Sequence, residues 1–250
     1  MLKLKIVEKK EPITNDWSVE KVAKEYPPLS WEAVFKNAEN EIKDVSDILE
    51  EDKKIHKNRR LPNNCDLFRA FQMTPLYKVR VVILGQDVYP STLQDGTPLA
   101  TGMAFSVPKE APIPSSLRNI FKELKNSVPD FRTPNHGNLI SWSLQGVLLL
   151  NACLTVREGE PDCFKQIWEG VLKKVIKAIL EANPHVIFVA WGKNAQKTTK
   201  KFVGERATIL ETSHPSSLAA HRGFLGCNHF PEINELLVKQ GSEPIDWNLF

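Results

Sequence analysis

The run Val79-Arg80-Val81-Val82-Ile83-Leu84 is short and rich in β-branched residues. It is stopped by a glycine and the polar segment Gly85-Gln86-Asp87-Val88-Tyr89-Pro90. Continuous rather than alternating apolarity is what a strand covered on both faces requires. Three further runs of this kind follow: Val147–Leu150, Val186–Trp191 and Ala207–Leu210. Helical patterns separate them. The clearest spans Phe164–Ala182, where Phe164, Ile167, Trp168, Val171, Leu172, Val175, Ile176, Ile179 and Leu180 share one face. Asp162 is placed to cap its start and Pro184 blocks its continuation. Leu117, Ile120, Phe121 and Leu124 mark another helix, and Trp31, Val34 and Phe35 open a third. The acidic stretch from Glu39 to Lys54 carries Ile42, Val45, Ile48 and Leu49 at helical spacing. Strands alternating with helices predict a single α/β domain, a three-layer α/β/α sandwich around a four-stranded, mainly parallel sheet.

Residues 29–250 are expected to form that domain, and residues 1–28, with few large apolar side chains, a loosely attached lead-in. At 250 residues, 42% hydrophobic and 25% charged, the chain has an ordinary globular composition. Its longest apolar runs fall far short of the ~18 residues of a membrane span. Cys65, Cys153, Cys163 and Cys227 form no C-x-x-C pair. Four scattered cysteines in a chain this long suggest reduced, buried thiols and an intracellular setting. The net charge of +3 excludes a histone-like or acidic-tail protein. The surplus is nevertheless local: Lys193, Lys197, Lys200, Lys201, Arg206 and Arg222 face only Glu205 and Glu211 between residues 190 and 229. Such a basic face can meet a polyanion.

The polar residues of interest follow the strands: Gln86 and Asp87 the first, Asn151 the second, Gly192-Lys193-Asn194 the third, and Ser213-His214-Pro215-Ser216-Ser217-Leu218 the fourth. Parallel sheets bind ligands beyond the carboxyl ends of their strands, so four strand ends converge on one site. Each residue has two readings. Asp87 either orients and deprotonates a water or caps a turn. His214 either stabilises developing negative charge or is a satisfied structural histidine. Asn151 either reads the edge of a planar amide or nucleobase, or closes a turn. Phe105 is core or a stacking platform. Ser116, after Pro112-Ile113-Pro114-Ser115, is an anion site at a helix start or an ordinary cap. The basic, apolar-tipped segment from Leu218 to Gly226 is either a mobile wedge that enters DNA or a surface loop. The cysteines and histidines lack the paired spacing of a metal site, and no Walker, dinucleotide or G-x-S-x-G motif occurs.

Together, five segments in order resemble the classical uracil-DNA glycosylases: Val81–Pro90 the water-activating segment usually written GQDPYH, Gly102–Pro108 the base-stacking segment, Gly146–Asn151 the uracil-reading strand, and His214–Leu218 followed by His221–Phe224 the catalytic histidine and intercalation loop. The resemblance runs from about Trp31 to Phe250. It implies base-excision repair: uracil is flipped out of DNA and its N-glycosidic bond hydrolysed, leaving free uracil and an abasic site without lyase activity. By the same resemblance, Asp87 and His214 are catalytic, and Gln86, Tyr89, Phe105 and Asn151 bind the base. Ser116, Gly192, Ser216, Leu218 and Arg222 hold the DNA, and neither metal nor organic cofactor takes part. The implied partners are single- or double-stranded DNA containing uracil, met by a monomer in the nucleus or cytoplasm, and a proteinaceous inhibitor or replication partner. The sequence departs from the family at Val88 (usually Pro), Pro90 (His), Ser217 (Pro), Ala219 (Ser) and Lys193 (Ser), with Val88 expected to loosen its turn. The competing readings are a DNA-binding scaffold of the same fold, and a glycosylase for another damaged base.

Overall fold

A computed structural model of the chain describes residues 11–57 and 59–249. In chain order the elements are α1 (Val19–Glu25), α2 (Glu32–Asn37), α3 (Glu39–Ile55), β1 (Arg60–Leu61), α4 (Arg69–Met73), β2 (Val81–Gly85), α5 (Ser115–Ser127), α6 (Ile140–Leu144), β3 (Val147–Asn151), β4 (Val156–Arg157), α7 (Glu169–Ala182), β5 (Ile187–Trp191), α8 (Lys193–Phe202), β6 (Thr208–Thr212) and α9 (His229–Lys239). The four long strands form one parallel sheet in the order β3-β2-β5-β6. β1 and β4 make a separate two-residue antiparallel ribbon.

Every residue of β2, β3 and β5 is buried, so both faces of the sheet are covered and the runs of Val, Ile and Leu are accounted for. β6 is different. It lies at the edge and only Leu210 is buried, which is why its sequence, Thr208-Ile209-Leu210-Glu211-Thr212, admits polar residues. The strands are those the sequence predicts, shifted by one or two residues. The long helix is not: α7 starts at Glu169, and residues 162–168 are a chain of turns. Phe164 and Trp168 are buried there without helical backbone. Asp162, expected as the cap, sits instead at φ +63° and turns its backbone to the end of β2.

The lead-in is partly ordered. Val19, Val22 and Ala23 of α1 are buried, and Ser18 caps the helix by accepting from the Lys21 N–H at 3.2 Å. α1 packs on α3 because its three small apolar side chains fit beside Ile42 and Val45. The expectation of loose attachment therefore fails for residues 19–25, while residues 1–10 lie outside the described residues. The four cysteines are free, but only Cys153 is buried as expected; Cys163 and Cys227 are half-buried and Cys65 is exposed.

One buried charge connects the fold to the loop after β6. Glu123 on α5 is fully buried, and its carboxylate accepts from the Gly226 N–H at 2.6 Å and the Asn228 N–H at 2.9 Å. Glu123→Ala leaves both donors without that acceptor. It should cost about 1–3 kcal/mol of stability, read as a lower urea midpoint at an unchanged slope; an unshifted midpoint would remove Glu123 from this role.

Candidate active site

The carboxyl ends of β2 and β3 are paired in register, Gly85 against Asn151. The absence of a side chain at Gly85 matters here, because a Cβ would overlap the Asn151 carboxamide oxygen. Asn151 is buried, and its Oδ1 has no hydrogen-bond partner within the protein. The ladder continues past both strands through the Ala152 N–H to Gly85 O and the Cys153 N–H to Gln86 O, each 2.9 Å. The segment carrying Gln86 and Asp87 is thereby fixed beside Asn151. The Gln86 side chain donates to Asp162 and accepts from Asn194 on α8. Asp87 Oδ2 accepts from the Asp162 N–H at 3.0 Å, and its Oδ1 is buried with no partner. Burial first, and the nearby Asp162 carboxylate second, push the Asp87 carboxyl up to about 7.

Phe105 stands at φ +64°, a conformation that needs external support in a residue with a bulky side chain. The Ala104 N–H donates to Leu149 O at 2.9 Å, the Val107 N–H to Gly137 O at 3.0 Å, and the Thr101 hydroxyl to Ser106 O at 3.2 Å. These bonds hold the Phe105 ring half-buried, 5.6 Å from Trp191 and 6.0 Å from His214. Tyr89 reaches the same turn and donates its hydroxyl to Phe105 O at 3.3 Å.

His214 comes from the far edge of the sheet. Its Nδ1 accepts from the Ser216 N–H at 3.0 Å, so in the neutral ring the proton sits on Nε2. Burial lowers the affinity of the ring for a second proton. Gly192 is needed beside it: a Cβ there would lie 2.9 Å from His214 Cβ, and φ is +93°. The loop expected to be mobile is tied at several points. Asn119 Nδ2 donates to Pro215 O at 2.8 Å, the Ser213 hydroxyl donates to Ala219 O and accepts from the Phe224 N–H, both at 2.9 Å, and Glu123 holds Gly226. Leu218 still projects from it, 79% exposed.

β2 and β6 are separated by one strand, so Asp87 and His214 approach the site from points about 10 Å apart. That interval lies between a ring N–H on His214 and a carboxylate on Asp87 that keeps one oxygen unpartnered. Around it, Ser116 stands half-buried in the first turn of α5, where no side chain caps the helix. Gly192 and Ser216 are half-buried, and Arg222 is exposed.

Residues 71–238 match the family model described as the uracil DNA glycosylase superfamily. The chain belongs to that superfamily. It is 48% identical to the uracil-DNA glycosylase of Francisella tularensis subsp. tularensis strain WY96-3418 over 189 residues, covering 75% of this chain and 84% of the relative. The same figures hold for the protein of subsp. novicida strain U112. The crystal structure of mimivirus uracil-DNA glycosylase superposes with a TM-score of 0.82 at 31% identity, over 88% of this chain and 86% of that one.

Against the family's usual sequence, Val88 is not a loosening substitution. It is buried with Leu61, Ala100 and Val156 in a small cluster under the β1–β4 ribbon. Pro90 is fixed there too, its carbonyl accepting from the Gly159 N–H at 2.7 Å. Lys193, in contrast, is exposed at the start of α8. Three residues that shape the site escape a reading by motif: Asp162 on Asp87, Asn119 on the His214 loop and Glu123 behind it. All three act across more than 70 residues of sequence, so local pattern carries no signal for them.

The hydrogen bond to His214 is directly testable. Nitrogen NMR should find the neutral Nε2–H tautomer and a titration midpoint below the usual 6.5. An Nδ1–H tautomer, or a midpoint above 6.5, would contradict the geometry.

Proposed function

We propose that this protein is a base-excision repair hydrolase that flips uracil out of DNA and cleaves its N-glycosidic bond, releasing uracil and leaving an abasic site. The observation that carries this reading is the pair of buried acceptors without partners, Asn151 Oδ1 and Asp87 Oδ1, at the adjoining ends of β3 and β2. A buried polar atom left unpaired costs about 1–3 kcal/mol, and a ligand that supplies the donors recovers it. Uracil does so: its N3–H donates to Asn151 Oδ1 while its O4 accepts from the amide nitrogen. Cytosine reverses that pattern and leaves the carboxamide unsatisfied. The ring stacks on Phe105, the Gln86 backbone contributes at its edge, and Tyr89 fills the space beside C5, where the methyl of thymine would collide.

As the bond from C1′ to N1 breaks, its electron pair passes to the base and the sugar becomes cationic. His214 donates from Nε2 to uracil O2, stabilising the anion by an oxyanion-hole interaction of roughly 3–4 kcal/mol. Asp87, ionised, offsets the cationic sugar and orients the water whose oxygen bonds to C1′. The proton lost by that water passes to Asp87 and then to solvent, and the released uracil anion takes up a proton from solvent, so that the net reaction consumes one water. Ser116, Gly192, Ser216 and Arg222 hold the flanking phosphates. Leu218 fills the gap that the flipped nucleotide leaves, offsetting an unstacking cost of a few kcal/mol. The substrate places the protein wherever uracil-containing DNA is found. A mimivirus variant of the related enzyme has been solved in complex with UGI, at a TM-score of 0.82. We propose that a protein of that kind, or a replication partner, can occupy this same DNA-facing edge of a monomer.

The experiment is single-turnover excision from a uracil-containing single strand in EDTA, followed by alkali. Cleavage at uracil alone supports the reading; binding without cleavage indicates a scaffold, and cleavage at other lesions a different glycosylase. Asp87→Asn should lower the rate by about 10²–10⁴ with DNA binding retained, and His214→Leu by about 10²–10³. Rates within threefold of the unmodified protein would refute the assigned roles. Leu218→Ala should depress excision from duplex DNA far more than from single strands. Equal losses would mean that Leu218 only packs its own loop.

A further inference from the structure

Two carboxylates meet at the end of β2, and only one of them belongs to the water-positioning role. Asp162 reaches Asp87 from the turns before α7, at a backbone φ of +63° that aspartate and asparagine tolerate better than most residues. Its N–H donates to Asp87 Oδ2 at 3.0 Å, and its carboxyl group is near enough to favour the protonated form of Asp87. Their surroundings are unequal. The Asp162 carboxylate accepts from Gln86 Nε2 and pairs with Lys165 at 3.6 Å, and the residue is partly exposed. The Asp87 carboxylate receives the single backbone donor and keeps one buried oxygen without a partner. When the pair holds one proton, that proton therefore resides on Asp87.

We infer that Asp162 is a positioning residue for the reaction proposed above, its N–H aiming Asp87 while its carboxylate raises the pH above which Asp87 can act. The inference rests on that functional reading, since it takes ionised Asp87 as the working form. The direction follows from like charges at short range: a permanently ionised neighbour favours the protonated form of Asp87. Burial acts in the same sense and more strongly, and the two together bring Asp87 to about 7 while Asp162 stays below the usual carboxylate range. The other groups around the pair do not supply the negative charge. Cys153, beyond β3, and Tyr89 are both pushed upward by burial and remain neutral, and burial favours neutral His214. Lys165, Lys197, Lys201 and Glu169 line the adjoining cavity of about 290 Å³ beside Gln86, where Lys201 is paired with Glu169.

Asn at position 162 keeps the N–H, tolerates positive φ and removes the charge. The test compares single-turnover uracil release by the unmodified protein and Asp162→Asn from pH 5.5 to 9. For one group titrating near 7, the unmodified rate should rise about tenfold between pH 6 and pH 8.5. In Asp162→Asn the ratio of those two rates should shrink by about threefold or more, because the acid limb moves to lower pH. A profile that superimposes on the unmodified one, or a loss equal at every pH, overturns the inference while leaving uracil excision intact. Absence of uracil release by the unmodified protein at any pH defeats the functional reading itself. Carboxyl carbon NMR of the unmodified protein provides a second readout that does not depend on the variant folding. The Asp162 resonance should respond at the Asp87 midpoint, and an Asp162 signal flat through that midpoint counts against the coupling.

Discussion

The in-register pairing of Gly85 with Asn151 is the contact on which the site depends. It brings a carboxamide over a residue that has no side chain to obstruct it. The next two rungs of the ladder then carry Gln86 and Asp87 past the sheet at a fixed height. A slip of one residue between β2 and β3 would turn Asn151 to the other face of the sheet and put Leu150 against Gly85. Buried Val, Ile and Leu on both faces make such a slip costly. The core of the sheet thus sets the accuracy of the chemistry at its end.

Burial acts on the two catalytic candidates in opposite ways. It favours neutral His214, the form that donates from Nε2, and here burial and function agree. It also favours neutral Asp87, whose working form is charged, and here they conflict. The Asp162 N–H offsets part of that cost, and the Asp162 carboxylate adds to it. On the proposed reaction, a site dry enough for a strong hydrogen bond to the departing base therefore carries an acid limit to its activity. In the proposed mechanism both candidates work together only above the Asp87 midpoint, where His214 is neutral as well.

Much of this arrangement was legible in the sequence. The continuous apolar runs of β2, β3 and β5 announce buried parallel strands, and the polar residues after them mark the site. Asn151 and His214 follow β3 and β6 as that reading expects, and Phe105, open between core and stacking platform in the sequence, stands half-buried 6.0 Å from His214; their roles rest on chemistry rather than on position. The apolar spacing of Phe164 and Trp168 imitated a helix, because burial in successive turns and burial on a helical face leave similar patterns. Short α1 leaves little trace in the sequence, since Val19, Val22 and Ala23 offer too little apolar surface to stand out without the partner helix. Val88 looked like a defect in its segment, yet it packs against Leu61 and Val156 from distant elements. Asp162 reads as a helix cap for the same reason: its partner lies 75 residues earlier.

The most direct test is the structure of the protein crystallised with free uracil. The ring should lie on Phe105, with Asn151 contacting N3 and O4 and His214 Nε2 within about 3 Å of O2. Uracil bound elsewhere, or bound there with Asn151 Oδ1 still unpartnered, would contradict the account.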